Sequence, residues 1–364
     1  MNWPNIEGLE MISSPALLVD PQRISTNIDQ MIQIAGDDFK ERLRPHLKTH
    51  KMSKITQLQI DKGINKFKSA TISETKMAAQ LQAKDILLAY QPVGPNINKL
   101  GKLIDNFPDS SFATIVDNIE SVKRIASEIG NISNPVRLFI DINCGMNRTG
   151  ISFNDRLLDP LREWIEKEPR VTFSGLHIYD GHLHQPELKN RRGSVIKINN
   201  SIKDYINLKA IPEIAVGGSP TFGLWAELTN WSLSPGTVLL WDQGYAKAFP
   251  DLGFSIAACL LTRVISRPGK DLICVDLGHK SVAAENPLHD RVFFPHLHDY
   301  EIIGQSEEHL VIKTQHSEEY EPGQVLLGFP KHICPTVALH NQVSVINGDI
   351  TSSETWEVNA RDRV

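Results

Sequence analysis

The chain has 364 residues, 41% of them hydrophobic and 22% charged, with a net charge of −5 and a pI near 6.2. This composition suits a soluble globular protein long enough for two domains with buried cores, and its acidic balance excludes the basic footprint of a nucleic-acid or anionic-membrane binder. The opening residues MNWPNIEGLE have neither a basic region nor an apolar run, so no signal peptide is expected, and the longest apolar stretch, near 256–261, is far too short to span a bilayer.

Taken in order, residues 1–12 carry little pattern. Ser14-Pro15-Ala16-Leu17-Leu18-Val19-Asp20 reads as a short apolar strand, and 22–34 places Ile24, Ile28, Met31 and Ile34 on one helical face. In Arg44-Pro45-His46-Leu47-Lys48-Thr49-His50-Lys51 the apolar Leu43, Pro45 and Leu47 alternate with Arg44, His46 and Lys48, which predicts a buried strand ending at a lysine. Ser53 then stands as N-cap before Ile55, Leu58 and Ile60. Further strands are predicted at 66–72, 85–90, 111–117, 136–142, 172–179, 213–217 and 236–241, with helices at 74–83, 97–107, 119–129, 155–167 and 190–208. Counting 44–48, eight strands alternate with helices, the pattern of an α/β fold closed as a (β/α)8 TIM-type barrel; a doubly wound open sheet is the alternative. From about residue 246 the texture changes to short strand runs at 254–264, 271–276, 301–304, 309–313, 324–327 and 342–346, which predicts a C-terminal, mostly antiparallel β-domain. The expected organisation is a barrel over 15–245, with 1–14 and 246–364 in the β-domain.

Several stretches carry residue types that do chemistry. Four cationic or potentially cationic side chains, Arg44, His46, His50 and Lys51, crowd Lys48 in sequence. Crowding by cations and partial burial favour the neutral, nucleophilic amine of a lysine, notably toward a carbonyl or pyridoxal phosphate; a basic surface loop is the plainer reading. Asp141-Ile142-Asn143-Cys144-Gly145-Met146-Asn147-Arg148-Thr149-Gly150 brackets an arginine between glycines at a strand end, and alone it reads as a turn. His177-Ile178-Tyr179-Asp180-Gly181-His182-Leu183-His184 gathers three histidines and an aspartate, with His177 and Tyr179 on one strand face; histidine serves proton transfer, metal binding or simple packing. Val216-Gly217-Gly218-Ser219-Pro220-Thr221 is a small-residue turn after a strand, an anion cradle or a plain loop. In Pro330-Lys331-His332-Ile333-Cys334-Pro335-Thr336 a strand would place His332 and Cys334 on one face, a pairing that suits zinc; a buried thiol beside a surface histidine is the alternative. The other cysteines, Cys144, Cys259 and Cys274, form no CxxC and read as buried small groups or free thiols of a reducing compartment, so a cytoplasmic location is expected.

Arg44-Pro45-His46-Leu47-Lys48-Thr49-His50-Lys51 resembles the lysine motif of the D-threonine aldolase and D-serine dehydratase family, pyridoxal-phosphate enzymes with an alanine racemase-like barrel. Ser14 to Asp20, Ser69-Ala70-Thr71-Ile72-Ser73-Glu74, Asp85-Ile86-Leu87-Leu88-Ala89-Tyr90 and Glu307-Glu308-His309 are similar to family segments in the same order, so the resemblance covers nearly the whole chain. It implies that Lys48 holds pyridoxal 5'-phosphate, with His46 beside it. It further implies that Arg148 meets the phenolic oxygen or the substrate carboxylate, that Gly218, Ser219 and Thr221 hold the phosphate, and that Tyr179 lies over the cofactor. Tyr245 is a further aromatic at the last strand's end. The family places a divalent metal, zinc or else manganese, at the segment matched by His332 and Cys334, with His340 a lesser candidate. Ser219 stands where many relatives carry glycine, and Gln185 stands where the aldolases carry histidine, which leaves His182 and His184 as nearby candidates for the catalytic base. The implied activity is a lyase on D-3-hydroxy amino acids, by dehydration or by aldol cleavage, in a homodimer. A metal-free racemase and a non-catalytic pyridoxal-phosphate-binding protein are the alternatives.

Overall fold

The computed structural model describes residue 3, residues 6–347 and residues 350–363. Met1, Asn2, Pro4 and Asn5, part of the stretch read for a leader, and Gly348, Asp349 and Val364, at the end of the expected β-domain, lie outside the described residues. The chain divides into two compact units, one drawn from Met1–Asp29, Thr49–Lys54 and Thr237–Arg361, the other from Gln30–Lys48, Ile55–Gly236 and Asp362–Val364.

The strands in chain order are β1 (Ala16–Val19), β2 (Lys66–Ser69), β3 (Asp85–Leu88), β4 (Ser111–Val116), β5 (Val136–Ile142), β6 (Val171–Ile178), β7 (Ile214–Val216), β8 (Ser232–Leu233), β9 (Ala258–Gly269), β10 (Leu272–Val275), β11 (Val292–Phe293), β12 (Tyr300–Gln305), β13 (Leu310–Thr314), β14 (Val325–Pro330), β15 (Gln342–Asn347) and β16 (Ile350–Glu357). In the second unit β2 to β8 form one parallel seven-stranded sheet in sequence order. Helices follow most of the strands, as at Ile72–Gln80, Pro95–Asn106, Ile119–Glu128, Leu158–Lys167 and Leu188–Leu208. Local sequence explains their starts. Thr71 caps its helix by accepting from the Glu74 amide at 3.1 Å, while the Glu74 carboxylate reaches back to accept from the Ala70 amide at 2.6 Å; Asn118 accepts from the Ser121 amide at 2.8 Å. Leu87, Ala113, Ile115, Phe139 and Ala215 meet as a buried apolar cluster.

The eighth member of this curled sheet is the 44–48 segment, though not as a full strand. Leu43 bridges Leu233 and His46 bridges Lys68, both in parallel. The Arg44 amide donates to the Leu233 carbonyl at 2.8 Å, the His46 amide to Pro235 at 2.7 Å, and the Lys68 amide to Pro45 at 2.9 Å, so the segment joins β8 to β2. Pro45 has no N–H to give, which limits the pairing to single bridges. The chain then turns, and Lys48 lies in a 3-10 turn, Leu47–Thr49, rather than at a strand end. The strand predicted at 236–241 is likewise corrected: pairing occurs earlier, at Ser232–Leu233, and Thr237–Leu239 is a 3-10 turn. Pro235 again lacks the donor that a longer ladder needs.

Arg44 does not join a cationic crowd around Lys48. Its guanidinium is fully buried between Asp85, at 2.8 Å, and Glu213, at 2.9 Å, and Arg137 reaches the same Asp85 at 3.1 Å. Removing one partner of a buried ion pair costs about 3–5 kcal/mol, because the remaining charge keeps its desolvation penalty. Arg44→Met should therefore lower unfolding stability by about 3 kcal/mol, the low end because Arg137 still serves the carboxylates, which are partly solvated. Denaturant unfolding measures it, and a loss below about 1 kcal/mol would mean the cluster is a surface-type network.

In the first unit nine strands form one mostly antiparallel sheet, with path β12-β13-β10-β9-β1-β15-β16 and β14 on β9. The expected antiparallel β-domain is present, and β1 belongs to it, paired antiparallel to β9 and parallel to β15. Among the described residues no helix is long and apolar enough to cross a membrane.

Candidate active site

Parallel barrel strands end their C-terminal tips on one face, and the candidate residues of the second unit collect there. A cavity of about 490 Å³ is lined by His46, Lys48, Asp141, Arg148 and Thr149, with Tyr90 and Val93 among its apolar walls. Lys48 is half-buried, and its amide donates to His46 Nδ1 at 3.3 Å. Its Nζ lies 5.2 Å from the centroid of the Tyr179 ring, Arg148 Cζ lies 5.1 Å from that centroid, and Lys68 Nζ lies 5.5 Å from it. An aromatic face attracts each of these cations. Residues from β2, the β2-to-β8 closure, the β5 loop and the end of β6 are thus focused on one ring.

The ring is fixed by what surrounds it. A Cβ on Gly181 would overlap the Tyr179 ring, and one on Gly218 would come within 3.2 Å of Tyr179 Cε2. The β5 loop is held by Asn143, whose Oδ1 accepts from the amides of Gly145 and Asn147 at 3.1 and 3.0 Å. Gly150 sits at φ +93°, where a Cβ would strike the backbone of Asn143 at 2.7 Å, so the glycine after Thr149 is required for the loop to close.

The motifs contain Asp141, His177 and Asp180, but their spacing assigns these residues no roles. Asp141 accepts from Thr149 Oγ1 at 2.7 Å and pairs with His177 Nδ1 at 2.7 Å. Burial works against its charge, yet the His177 contact holds Asp141 below the usual carboxylate range, while burial pushes His177 down. An ionised Asp141 accepts a hydrogen bond from Nδ1–H, which keeps that proton on the ring and leaves His177 Nε2 an acceptor; that atom is buried without a partner. Asp180, pushed up by burial, accepts from Thr221 Oγ1 at 2.9 Å and Trp225 Nε1 at 2.8 Å.

The Gly218 to Thr221 turn folds on itself. Thr221 Oγ1 accepts from the Gly218 amide at 3.1 Å, the Thr221 amide donates to the Gly218 carbonyl at 3.1 Å, and Ser219 Oγ accepts from the Gly236 amide at 3.1 Å. His182 is half-buried with Nδ1 unpartnered, its ring against Gly145, while His184 is exposed. Gln185 Nε2 donates to Ser194 at 3.2 Å.

In the first unit His332 and Cys334 do come together, by a route other than the expected strand face. β14 ends at Pro330; His332 is extended, with φ −135°, and Cys334 lies in the first turn of the helix Ile333–Val337. The two side chains hydrogen-bond. Partial burial opposes charge on His332, but the Cys334 sulfur carries it up to about 9; burial likewise opposes the thiolate, but His332 holds Cys334 below the ordinary thiol value. His332 Nδ1 meets Glu285 Oε1 at 2.8 Å, and Cys334 Sγ lies 3.3 Å from Thr49 Oγ1 and 3.5 Å from Thr237 Oγ1. His340 Nε2 is taken by the Ser281 carbonyl at 2.8 Å. Among the described residues no three His, Cys, Asp or Glu side chains form a closed metal cage. Tyr245 packs edge-on to Trp241 at 5.2 Å. His50, buried with Nδ1 accepting from the Met52 amide at 3.1 Å, is driven by burial down to about 3 and so carries no charge at neutral pH.

A parallel barrel of this topology with a lysine at its mouth, joined in one chain to an antiparallel β-domain, defines the alanine racemase-like class of proteins. The model of the alanine racemase N-terminal domain matches residues 19–243, and that of a putative serine dehydratase domain matches residues 257–346. The chain belongs to the alanine racemase N-terminal-domain family and, within it, to the D-threonine aldolase and D-serine dehydratase family. It is 26% identical to a D-threonine aldolase of Arthrobacter sp., over 98% of this chain and 94% of that protein. It is 24% identical to a D-serine dehydratase of Dictyostelium discoideum, over 95% and 96% of the two chains. The crystal structure of a D-threonine aldolase from Filomicrobium marinum shares its fold with a TM-score of 0.88 at 23% identity, over 98% of this chain and 97% of that one.

Proposed function

We propose that this chain is a pyridoxal-phosphate- and divalent-metal-dependent lyase acting on D-3-hydroxy amino acids, working in the cytoplasm as a homodimer. The observation that carries this reading is the convergence of Lys48 and Arg148 at one cavity on the barrel, both of them over the Tyr179 ring. The similarity to a D-threonine aldolase and a D-serine dehydratase along nearly the whole chain supports it.

The residues present fit the cofactor: a primary amine and a guanidinium at a cavity of ligand size, and a buried imidazole nitrogen, His177 Nε2, still lacking a partner. Lys48 would hold it, Arg148 would meet its phenolic oxygen or the substrate carboxylate, and Gly218, Ser219 and Thr221 would take its phosphate. Bound there, pyridoxal phosphate supplies an electron sink for negative charge at Cα. The donors His332 and Cys334 fit a borderline-soft divalent metal, zinc before manganese, with Glu285 on the far ring nitrogen orienting the imidazole. Such a metal supplies a Lewis acid for the substrate's β-hydroxyl.

The chain's own part is proton handling and orientation. Lys48 Nζ takes the Cα proton. Tyr179, wedged against Gly181 and Gly218, sets the floor on which the cations stand. Dehydration is favoured over aldol cleavage because Gln185, bonded to Ser194, stands where the aldolases carry a histidine; His182 and His184 are the nearby candidates for the catalytic base. A screen of D-amino acids with and without chelator, read for ammonia, aldehyde and the opposite enantiomer, tests this. Ammonia from D-3-hydroxy amino acids, lost with chelator, is expected; racemisation alone, untouched by chelator, would overturn it. Sedimentation should give twice the 40.8 kDa chain mass, and a fully active monomer would remove the dimer.

A further inference from the structure

Lys68 has no part in the reaction as described. It is the third residue of β2 and only 1% exposed, although a buried ammonium is costly unless something compensates it. Among the described residues no hydrogen bond or ion pair ends on its Nζ. Its Nζ and that of Lys48 instead share the Tyr179 ring, at 5.5 and 5.2 Å from the centroid. Burial, then the charge of Lys48, brings Lys68 down to about 7, with Arg44 acting the same way and Asp180 and Asp141 opposing. His177 and Arg148 complete the charged surroundings, the imidazole being pushed down in part by Lys68 itself.

We propose that Lys68 is the acceptor for the proton that Lys48 sheds before its nitrogen attacks a carbonyl carbon. The transfer balances. An N–H bond of the Lys48 ammonium breaks, its electron pair stays on the Lys48 nitrogen as the nucleophilic lone pair, and the lone pair of the Lys68 amine forms the new N–H bond. One positive charge remains in the cluster throughout, so Asp141 and Asp180 keep a counter-charge. The sign with pH follows: below about 7 Lys68 already holds its proton and cannot accept, and above it the amine is free. Assistance to Lys48 is therefore present above neutral pH and lost as pH falls. The assignment rests on the reading of Lys48 as the lysine that bonds a carbonyl group.

The test uses the full chain, freed of cofactor by hydroxylamine and labelled with ¹³C at lysine Cε. One resonance should titrate with a midpoint near 7, be missing in Lys68→Arg, and move up by about one pH unit in Lys48→Met, where the neighbouring charge is gone. Lysines that all titrate above pH 9, or a midpoint unmoved in Lys48→Met, would overturn the proposal. In a second measurement pyridoxal 5'-phosphate is added at pH 7.5 and growth of the visible band is timed. Lys68→Met and Lys68→Arg, neither able to accept a proton, should both be slower by about 10²-fold, the scale of a lost general base; unchanged rates would reject the role. If even the wild-type chain forms no band, the lyase reading fails, while the titration still decides whether Lys68 is an amine coupled to Lys48.

Discussion

Lys48→Ala loses turnover by a factor on the order of 10⁴ or more, the scale on which enzymes lose activity when their covalent catalytic group is removed. The protein should be yellow as purified, and in the variant the visible band should disappear on dialysis. The fold should survive. Lys48 is half-buried, its amide contact with His46 Nδ1 is backbone-borne, and its side chain is in no ion pair among the described residues, so its loss leaves no buried charge stranded. A melting temperature within a few degrees of wild type, together with lost absorbance, separates a chemical role from a structural one. The strongest competitor is Lys68, whose amine shares the Tyr179 ring. Borohydride reduction followed by peptide mass analysis distinguishes the two. An adduct on Lys48 is expected, and an adduct on another lysine that persists in Lys48→Ala would show that the attachment site is misassigned.

Cys334→Ala is expected to lower metal content and to reduce kcat by a factor on the order of 10³, because Lewis-acid stabilisation of a leaving hydroxyl amounts to several kcal/mol. The band due to cofactor should stay nearly intact, since the donors of that site, Lys48 and Arg148, are untouched. With His332 and Cys334 as the protein donors, positions stay open for water and substrate, as catalytic sites require, so metal loss should cost turnover far more than stability. Cys334→Asp should retain a metal but shift preference from zinc toward manganese, because a carboxylate is the harder ligand, and should raise aldol cleavage relative to dehydration. Elemental analysis paired with activity after chelation measures all of this. Full activity in a demonstrably metal-free sample would remove the metal-assisted mechanism and favour a racemase.

Much of the architecture was legible because it depends on local periodicity. The run read as a strand at Val136–Ile142 matches β5 residue for residue, and the apolar spacing of 119–129 gives the helix Ile119–Glu128, whose Asn118 cap the structure adds. The errors cluster at prolines. Pro45 and Pro235 sit in apolar stretches that read as strands, but each withholds an N–H, so pairing stops at bridges and the chain turns. His332 and Cys334 show a different error. Their two-residue spacing was sound, but a helix starting at Ile333 brings them together, a geometry that a strand rule does not contain.

By itself the sequence determined the alternation of elements, the lysine motif, the two glycine-bearing loops and the His332 and Cys334 pair, because each is written in residues close together along the chain. Only the tertiary structure decided which charged groups are inside and whom they face. Lys66 and Lys68 are alike in sequence, but closure of the sheet leaves Lys66 partly exposed and buries Lys68 beside Tyr179, more than a hundred positions later in the chain. The Asp141–His177 pair, the hold of Thr221 and Trp225 on Asp180, and the capture of Arg44 by Asp85 and Glu213 arise in the same way. The reason is physical. A pattern along one strand says which residues share a face, but which partner meets a buried charge depends on strand order and on where the sheet closes, and those are properties of the whole barrel.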